Sequence, residues 1–301
     1  MIEFLFQGEN HMEHRAGGID LHIHTTSSDG TRTVYETIQD AVADGLSHIA
    51  ITDHNQFAVL HPSIYQGLEI IPGAEFSTAY ITESGKLLEV HVVGVFFDGI
   101  PDNLGDIFKM IPLQRKQYLD EIITKLNQLG ISISYEELLY NFPDSNQIGR
   151  RHVAEILLKK GYTESINDGF DRFIGNRSPY WVDSTKYMKY MPLKKCMEII
   201  CQNGGFPILA HPYHYHCTDG EVLKLIKDFK TLAGDYPAGI EVYYSKYDDK
   251  RRKELLKIAK TMELYPSAAS DRHSEKESFV RGDELLLQKM KEAVHKRKVN
   301  T

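Results

Sequence analysis

The stretch Asp20-Leu21-His22-Ile23-His24-Thr25-Thr26-Ser27-Ser28-Asp29-Gly30 opens the part of the chain that decides the fold. Ile19–Ile23 is a short apolar run of strand type, and it delivers two histidines and then an aspartate into the loop behind it. The arrangement recurs. His48–Thr52 leads into Asp53-His54, and the run that starts at Glu69 and continues Ile70-Ile71-Pro72-Gly73-Ala74 leads into Glu75. Leu88–Phe96 carries His91, Pro207–Ala210 ends in His211-Pro212, and Pro266–Ala269 leads through Ser270 into Asp271-Arg272-His273. One more strand is expected at Gly239–Tyr244. Helical spacing separates several of these runs. Thr33 and Glu36 make a capping box ahead of Val34, Ile38, Ala41, Val42 and Leu46, and helical patterns fill Pro192–Asn203, Glu221–Leu232 and Asp248–Met262. Strand–helix alternation of this kind implies parallel strands joined by crossover helices, and in a barrel of such strands the C-terminal ends converge on one mouth.

Six histidines and three carboxylates at strand ends form a metal-ligand inventory. A single histidine there is ordinarily a hydrogen-bonded structural residue. HxH, TDH, a glutamate, HVVG, AHP and SDRH in succession, each on or after a strand, make that reading untenable. Imidazole and carboxylate without thiolate favour Zn, Mn or Fe. Nine ligands are too many for one tetrahedral ion, so two or three clustered divalent metal ions are expected. Such clusters activate a bridging hydroxide and clamp phosphoryl oxygens, which points to hydrolysis of a phosphate ester.

Between residues 98 and 190 strand signal gives way to helix candidates at Leu113–Leu129, Tyr135–Tyr140, Arg151–Lys160 and Ser165–Phe173. The expected organisation is therefore α/β with a helical cap insertion: 19–97 and 191–282 form the two parts of one barrel, 98–190 the cap, and 283–301 a charged C-terminal helix. Residues 1–18, with Leu5-Phe6-Gln7-Gly8 followed by His11-Met12, read as an arm or cloning remnant. The 301 residues carry 42% hydrophobic and 26% charged side chains, as in a folded globular chain rather than a disordered one. A net charge of −7 argues against duplex DNA as the partner. No run approaches the roughly 18 apolar residues of a membrane span. Cys196, Cys201 and Cys217 have no CxxC spacing, and reduced thiols in a cytoplasmic protein are expected.

The motifs DLHIHTTSSDG (Asp20–Gly30), ITDHN (Ile51–Asn55), LAHP (Leu209–Pro212) and SDRH (Ser270–His273) resemble those of the PHP (polymerase and histidinol phosphatase) family. The resemblance implies a distorted (β/α)7 barrel of the PHP type with a trinuclear metal site. It implies metal ligation by His22, His24, Asp29, His54, Glu75, His91, His211, Asp271 and His273. Gln147–Tyr162 and Phe170–Val182 are similar to the cap of PHP nucleotide phosphoesterases, a subgroup with 3′,5′-nucleotide bisphosphate phosphatases and 5′-to-3′ exoribonucleases. Two positions depart from the family pattern: Arg272 stands where Phe is common, and Arg151 where Pro is common. Both add positive charge near the expected phosphate pocket.

Arg150, Arg151 and His152 open a helix behind Gly149, where free N–H groups and guanidinium forks suit phosphate or ribose recognition. Asp53, His54 and Asp271 are the candidate catalytic residues, with Asp53 orienting a histidine or the attacking water. His214 and His216 read as an exposed loop, and Glu241 as either a mouth residue or a structural ion pair. Tyr187, Tyr190, Tyr243, Tyr244 and Trp181 read mainly as packed aromatics. The function expected is a metal-dependent phosphoesterase acting by metal-bridging hydroxide on a phosphomonoester of a small phosphorylated metabolite, a nucleotide such as a 3′,5′-bisphosphate. The alternatives are a 5′-to-3′ exonuclease on short RNA, or a catalytically silent metal- or nucleotide-binding module.

Overall fold

β1 (Ile19–Ile23) is buried along its whole length, so its histidines stand inside the fold. The computed structural model describes residues 17–299 other than 110, 144, 146 and 216. Behind β1 come α1 (Val34–Ala43), capped by Thr33 and Glu36 as their spacing predicts, and β2 (His48–Ile51). β3 (Ser63–Tyr65), β4 (Leu68–Ile81) and β5 (Leu87–Val95) follow. Then come the helices α2 (Ile111–Gln128), α3 (Tyr135–Asn141), α4 (Arg150–Lys159) and α5 (Ile166–Gly169). The chain returns through β6 (Met191–Pro192), α6 (Leu193–Gln202), β7 (Phe206–Leu209), α7 (Asp219–Ala233), β8 (Gly239–Tyr244), α8 (Asp249–Thr261), β9 (Tyr265–Ala269) and α9 (Glu284–Val299).

The main path of the sheet is β1-β2-β4-β5-β7-β8-β9. Its ends approach each other: beyond β9 the chain bridges Ile23 to Arg272 in parallel, with His24 N–H donating to Arg272 O at 2.9 Å and Asp271 N–H to His22 O at 2.9 Å. Seven strands thus form a nearly closed barrel. The expectation of parallel strands throughout needs correcting. β5 runs antiparallel to both β4 and β7, while the β1/β2, β2/β4, β7/β8 and β8/β9 pairs are parallel. The cause lies in β4, which runs on for 14 residues and turns back directly into β5 without a helix. A hairpin forces reversal, whereas a crossover helix would have preserved direction.

The residues that bury the helices fall into separate apolar clusters. Tyr118, Leu119, Ile122, Leu126, Val153, Ile156 and Leu157 belong to a core confined to α2–α5 and the segment after them. α6, α7 and α8 pack on one side of the barrel sheet. α9 covers the barrel floor through Leu286, Leu287, Met290 and Val294. Of the arm expected at 1–18, residues 1–16 lie outside the described residues, as does His216. Gly17 and Gly18 are already fastened, by Gly17 N–H to Gly45 O at 2.8 Å and Gly18 N–H to Glu284 Oε1 at 3.1 Å.

Asp20, between the strand residues that carry the first motif, is fully buried and closes the barrel. Its Oδ1 accepts from Ser270 N at 3.0 Å and His22 N at 3.3 Å, and Oδ2 from Val280 N at 3.0 Å. Burial nonetheless pushes this carboxyl up to about 6, against the downward pull of those donors. Removing it would leave two buried amides and one part-buried amide without these acceptors, at about 1–3 kcal/mol for each buried one. Asp20→Ala should therefore lower the unfolding free energy by at least about 2 kcal/mol in urea denaturation. An unchanged midpoint would show that the barrel seam does not rest on this residue.

Candidate metal centre

Glu75 lies mid-strand in β4 with no exposure to solvent, and five imidazoles converge on it. Its Oε2 is 2.7 Å from His54 Nδ1 and 3.4 Å from Nε2 of both His22 and His24. Its Oε1 is 2.7 Å from His91 Nδ1 and 2.9 Å from His211 Nε2. The pleat explains the convergence. Successive strand residues face opposite sides, so His22 and His24 share one face of β1. On β5, His91 stands opposite Ser77, which shares its face of β4 with Glu75.

Two further carboxylates complete the cluster. Asp271 Oδ1 is 3.2 Å from His24 Nε2 and 3.7 Å from His22 Nε2. Asp29 Oδ1 is 3.4 Å from His273 Nε2 and 3.8 Å from His54 Nε2. All nine residues singled out in the sequence fall into overlapping groups: His24–Asp29–His54–His273, His22–Glu75–His211, His22–His24–Asp271 and His54–Glu75–His91. Within each group the donor atoms lie within 4.8 Å of one another.

The bonding around these atoms fits divalent cations. His22 Nε2 and His24 Nε2 face each other at 3.0 Å. Glu75 Oε2, His54 Nδ1 and His211 Nδ1 are buried without a hydrogen-bond partner, although His54 Nδ1 and Glu75 Oε2 are close neighbours. Lone pairs turned toward one another in a buried place are satisfied by a cation, and a set of imidazoles and carboxylates suits Zn, Mn or Fe. Electrostatics keep the carboxylates in ligand form. Burial pushes the Glu75 carboxyl up, but His91, His54 and His22 outweigh it and hold it well below the usual carboxylate range. Burial, with His273 and His54 alongside, pushes His24 down to about 3, so its imidazole is neutral. For His91 the opposite holds: burial disfavours its charge, but Glu75 and Glu89 outweigh that and raise it to about 10.

A supporting layer orients the cluster. Glu241 reaches the mouth from β8: Oε1 is 2.6 Å from His22 Nδ1 and Oε2 accepts His211 N–H at 2.7 Å. Tyr244 donates to Asp271 Oδ2 at 2.7 Å, and Glu89 Oε1 is 3.2 Å from His91 Nε2. Such partners fix ring orientation and tautomer. His211 and Asp271 themselves sit at positive φ, 25° and 54°, a conformation uncommon for residues other than glycine. Among the described residues it recurs at Asn55, directly after His54, with φ 48°, and away from the site at Gln66 and Glu263. Backbone strain of this kind concentrates at functional sites.

Four sequence expectations change. Asp53 has no bond to a histidine: Oδ1 accepts from Thr25 N, Ser28 N and Ser28 Oγ at 2.8, 3.1 and 2.6 Å, and Oδ2 from Thr25 Oγ1 at 2.8 Å. It ties down the loop that presents Asp29. His152 is buried; its Nδ1 accepts Gly149 N–H at 2.9 Å, its ring packs on Phe142 at 4.5 Å, and burial pushes it down to about 4. Its Nδ1 thus caps the start of the helix. Arg151 is already paired, 3.4 Å from Glu155 and 3.6 Å from Glu277. Arg272, expected to add charge to the phosphate pocket, instead pairs with Asp40 at 2.8 Å and donates to Glu277 O at 2.9 Å. Arg150, unlike Arg151, makes no ion pair among the described residues; its Nη1 donates to Asn176 Oδ1 at 2.7 Å. His214 is exposed and stands outside the ligand groups, with Nδ1 3.3 Å from Tyr244 Oη.

Comparison with known proteins agrees with this geometry. The PHP domain model matches residues 20–192. A 5′-3′ exoribonuclease of Haemophilus influenzae is 30% identical over 258 residues, covering 84% of this chain and 89% of the relative. A 3′,5′-nucleoside bisphosphate phosphatase of Chromobacterium violaceum is 26% identical, covering 85% and 87%. In fold the chain is similar to a solved amidohydrolase from Chromobacterium violaceum with bound sulfate and no metal. The TM-score is 0.76 at 22% identity, covering 92% of this chain and 96% of that one.

The overlap of the ligand groups carries a prediction. His54 and Asp271 lie in different groups, each of which shares a residue with another group, so His54→Ala and Asp271→Ala should each reduce bound divalent metal by more than one group's share while circular dichroism stays unchanged. In the unsubstituted protein, metal should be released as pH falls below about 6, where protons compete for imidazole nitrogens. Metal analysis after equilibration across pH checks both, and a full metal complement in either variant would contradict the shared cluster.

Proposed function

The chain belongs to the PHP domain family and is a hydrolase acting on phosphoric ester bonds, and from that premise we propose that it removes a phosphate from a nucleoside 3′,5′-bisphosphate. The observation that carries this reading is the pairing of a six-imidazole, three-carboxylate cluster with an arginine, Arg150, that makes no ion pair among the described residues. His22, His24, Asp29, His54, Glu75, His91, His211, Asp271 and His273 would hold two or three divalent ions. Such ions, Mn, Zn or Fe by donor type, lower the pKa of water and neutralise phosphoryl oxygens. His54 and Asp271 would then border the reacting phosphate. Asp53 would act as a positioning residue by fixing the Thr25–Ser28 turn ahead of Asp29. Residues 98–190 would form the cap, with 19–97 and 191–282 the two barrel parts; the separate apolar core of α2–α5 supports that division.

The cap would select the substrate. One phosphate lies at the cluster, and Arg150, at the start of α4, receives the second. His152 supports the helix start from within. A cytoplasmic setting accords with three unpaired cysteines, and no described helix is long and apolar enough to cross a membrane. A second reading is favoured by the relatedness to the Haemophilus influenzae exoribonuclease: the chain would act on short RNA, one nucleotide at a time from the 5′ end.

The test is turnover with added Mn²⁺ on adenosine 3′,5′-bisphosphate, a 5′-phosphorylated oligoribonucleotide and an aryl phosphate. Preference for the bisphosphate supports the proposal, preference for the oligoribonucleotide selects the second reading, and no turnover of any substrate leaves only a binding module. Arg150→Ala should lower kcat/KM for the bisphosphate by about 30-fold or more, the equivalent of roughly 2 kcal/mol for a charged hydrogen bond to a buried partner. Aryl phosphate, which has no second phosphate, should change little. Equal losses on both would mean that Arg150 supports structure rather than selection.

A further inference from the structure

All nine candidate ligands come from barrel strands and the loops behind them, but the bonds that hold them in place have two different sources. β8 backs one half of the cluster. Glu241 Oε1 is 2.6 Å from His22 Nδ1, Glu241 Oε2 accepts His211 N–H at 2.7 Å, and Tyr244 donates to Asp271 Oδ2 at 2.7 Å. His22, His211 and Asp271 occur only in the groups His22–Glu75–His211 and His22–His24–Asp271. The other two groups, His24–Asp29–His54–His273 and His54–Glu75–His91, add Asp29, His54, His91 and His273.

Each of those four is reached from residues 98–190. Ser145 Oγ donates to Ser28 O at 2.5 Å, directly ahead of Asp29, in the loop that Asp53 ties from the barrel side. Gln147 Nε2 donates to Asn55 O at 3.1 Å, directly behind His54, where the backbone takes its positive φ. Arg151 Nη1 lies 3.6 Å from Glu277 Oε1, and Glu277 Oε2 accepts the N–H groups of His273 and Ser274 at 2.5 and 2.9 Å. Ser184 Oγ donates to Glu89 Oε2 at 3.1 Å, and the Tyr190 hydroxyl donates to the same carboxylate. Glu89 Oε1 is in turn the partner of His91 Nε2 at 3.2 Å. A carboxylate behind a ligating imidazole fixes its tautomer and raises its basicity. An insertion seated by apolar packing alone would be indifferent to the ligands. These four polar contacts are not: each falls on the neighbour of a ligand or on its direct partner.

We propose that the insertion frames one half of the metal centre: Gln147, Arg151 and Ser184, the last acting through Glu89, are positioning residues that set how tightly the half containing His54, His91 and His273 holds its ion. The inference rests on the metal-binding part of the phosphoesterase reading and is independent of the substrate. Calorimetric titration of the metal-free full chain with Mn²⁺ tests it without turnover. Two classes of site are expected in the wild type. Glu89→Gln should weaken one class by about 10-fold or more, the scale for an outer partner of a metal ligand, and leave the other class unchanged. Gln147→Leu, Arg151→Ala and Ser184→Ala should each weaken the same class by about 3-fold or more, the scale of one hydrogen bond. Arg151→Lys should lose less than Arg151→Ala. Ser184→Ala should add nothing to Glu89→Gln, through which it acts. Tyr244→Phe, behind Asp271, should weaken the other class instead. All of this should occur at an unchanged thermal midpoint of the metal-free variants. Wild-type affinity in the insertion variants, a loss shared equally by all sites, or a loss accompanied by a lower midpoint in every variant would overturn the proposal while the metal centre stands. A wild-type chain that binds no Mn²⁺ would overturn the metal-centre reading and this inference together.

Discussion

A carboxylate shut away from water and ringed by five imidazoles is the constraint around which this structure is arranged. Glu75 cannot be buried alone, because an isolated charge in the interior costs several kcal/mol or more. It is tolerated because His22, His24, His54, His91 and His211 surround it. They come from four places in the barrel. β1 supplies two by its alternation, the end of β2 supplies one, and β7 supplies one where the backbone takes a positive φ. His91 enters because β4 folds back into β5. A helix crossover at that point would have placed the next strand's residues at the same end and lost the mid-strand pairing.

Closure of the barrel serves the same cluster. The seam between β1 and the end of β9 positions Asp271 and His273 against His24, and Asp20 holds that seam by accepting three backbone amides. Glu241 and Tyr244 on β8 then lock His22 and Asp271 from behind. Packing in α6–α8 thereby reaches the chemistry through two hydrogen bonds. The α2–α5 insertion stands apart, with an apolar core of its own, and meets the cluster near Asp29 and Gly149. On the proposed reading, hydrolytic capacity belongs to the barrel and substrate choice to the insertion.

Much of this was legible in the sequence, for physical reasons that differ from residue to residue. HxH on an apolar strand is readable because the period of two puts both imidazoles on one face. The strand-end motifs are readable because a barrel gathers such ends. The direction of β5 was not, since an apolar run reads alike either way and only the hairpin reveals the reversal. Glu75 and His91 were found although their strands extend past them, because residue type mattered more than position. Within the GRRH motif, sequence cannot tell which side chain turns back to cap the helix, and His152 does so. Asp53 appeared beside a histidine in sequence, yet its bonds run to Thr25 and Ser28.

The central claim is that Glu75 is the shared ligand of a multinuclear site. Anomalous diffraction from crystals grown with Mn²⁺ tests it most directly. The account predicts two or three anomalous peaks within the nine-residue cluster, at least two of them about 2.0–2.3 Å from Glu75 oxygens or from imidazole nitrogens that touch Glu75. A single peak remote from Glu75, or none at all, would contradict it.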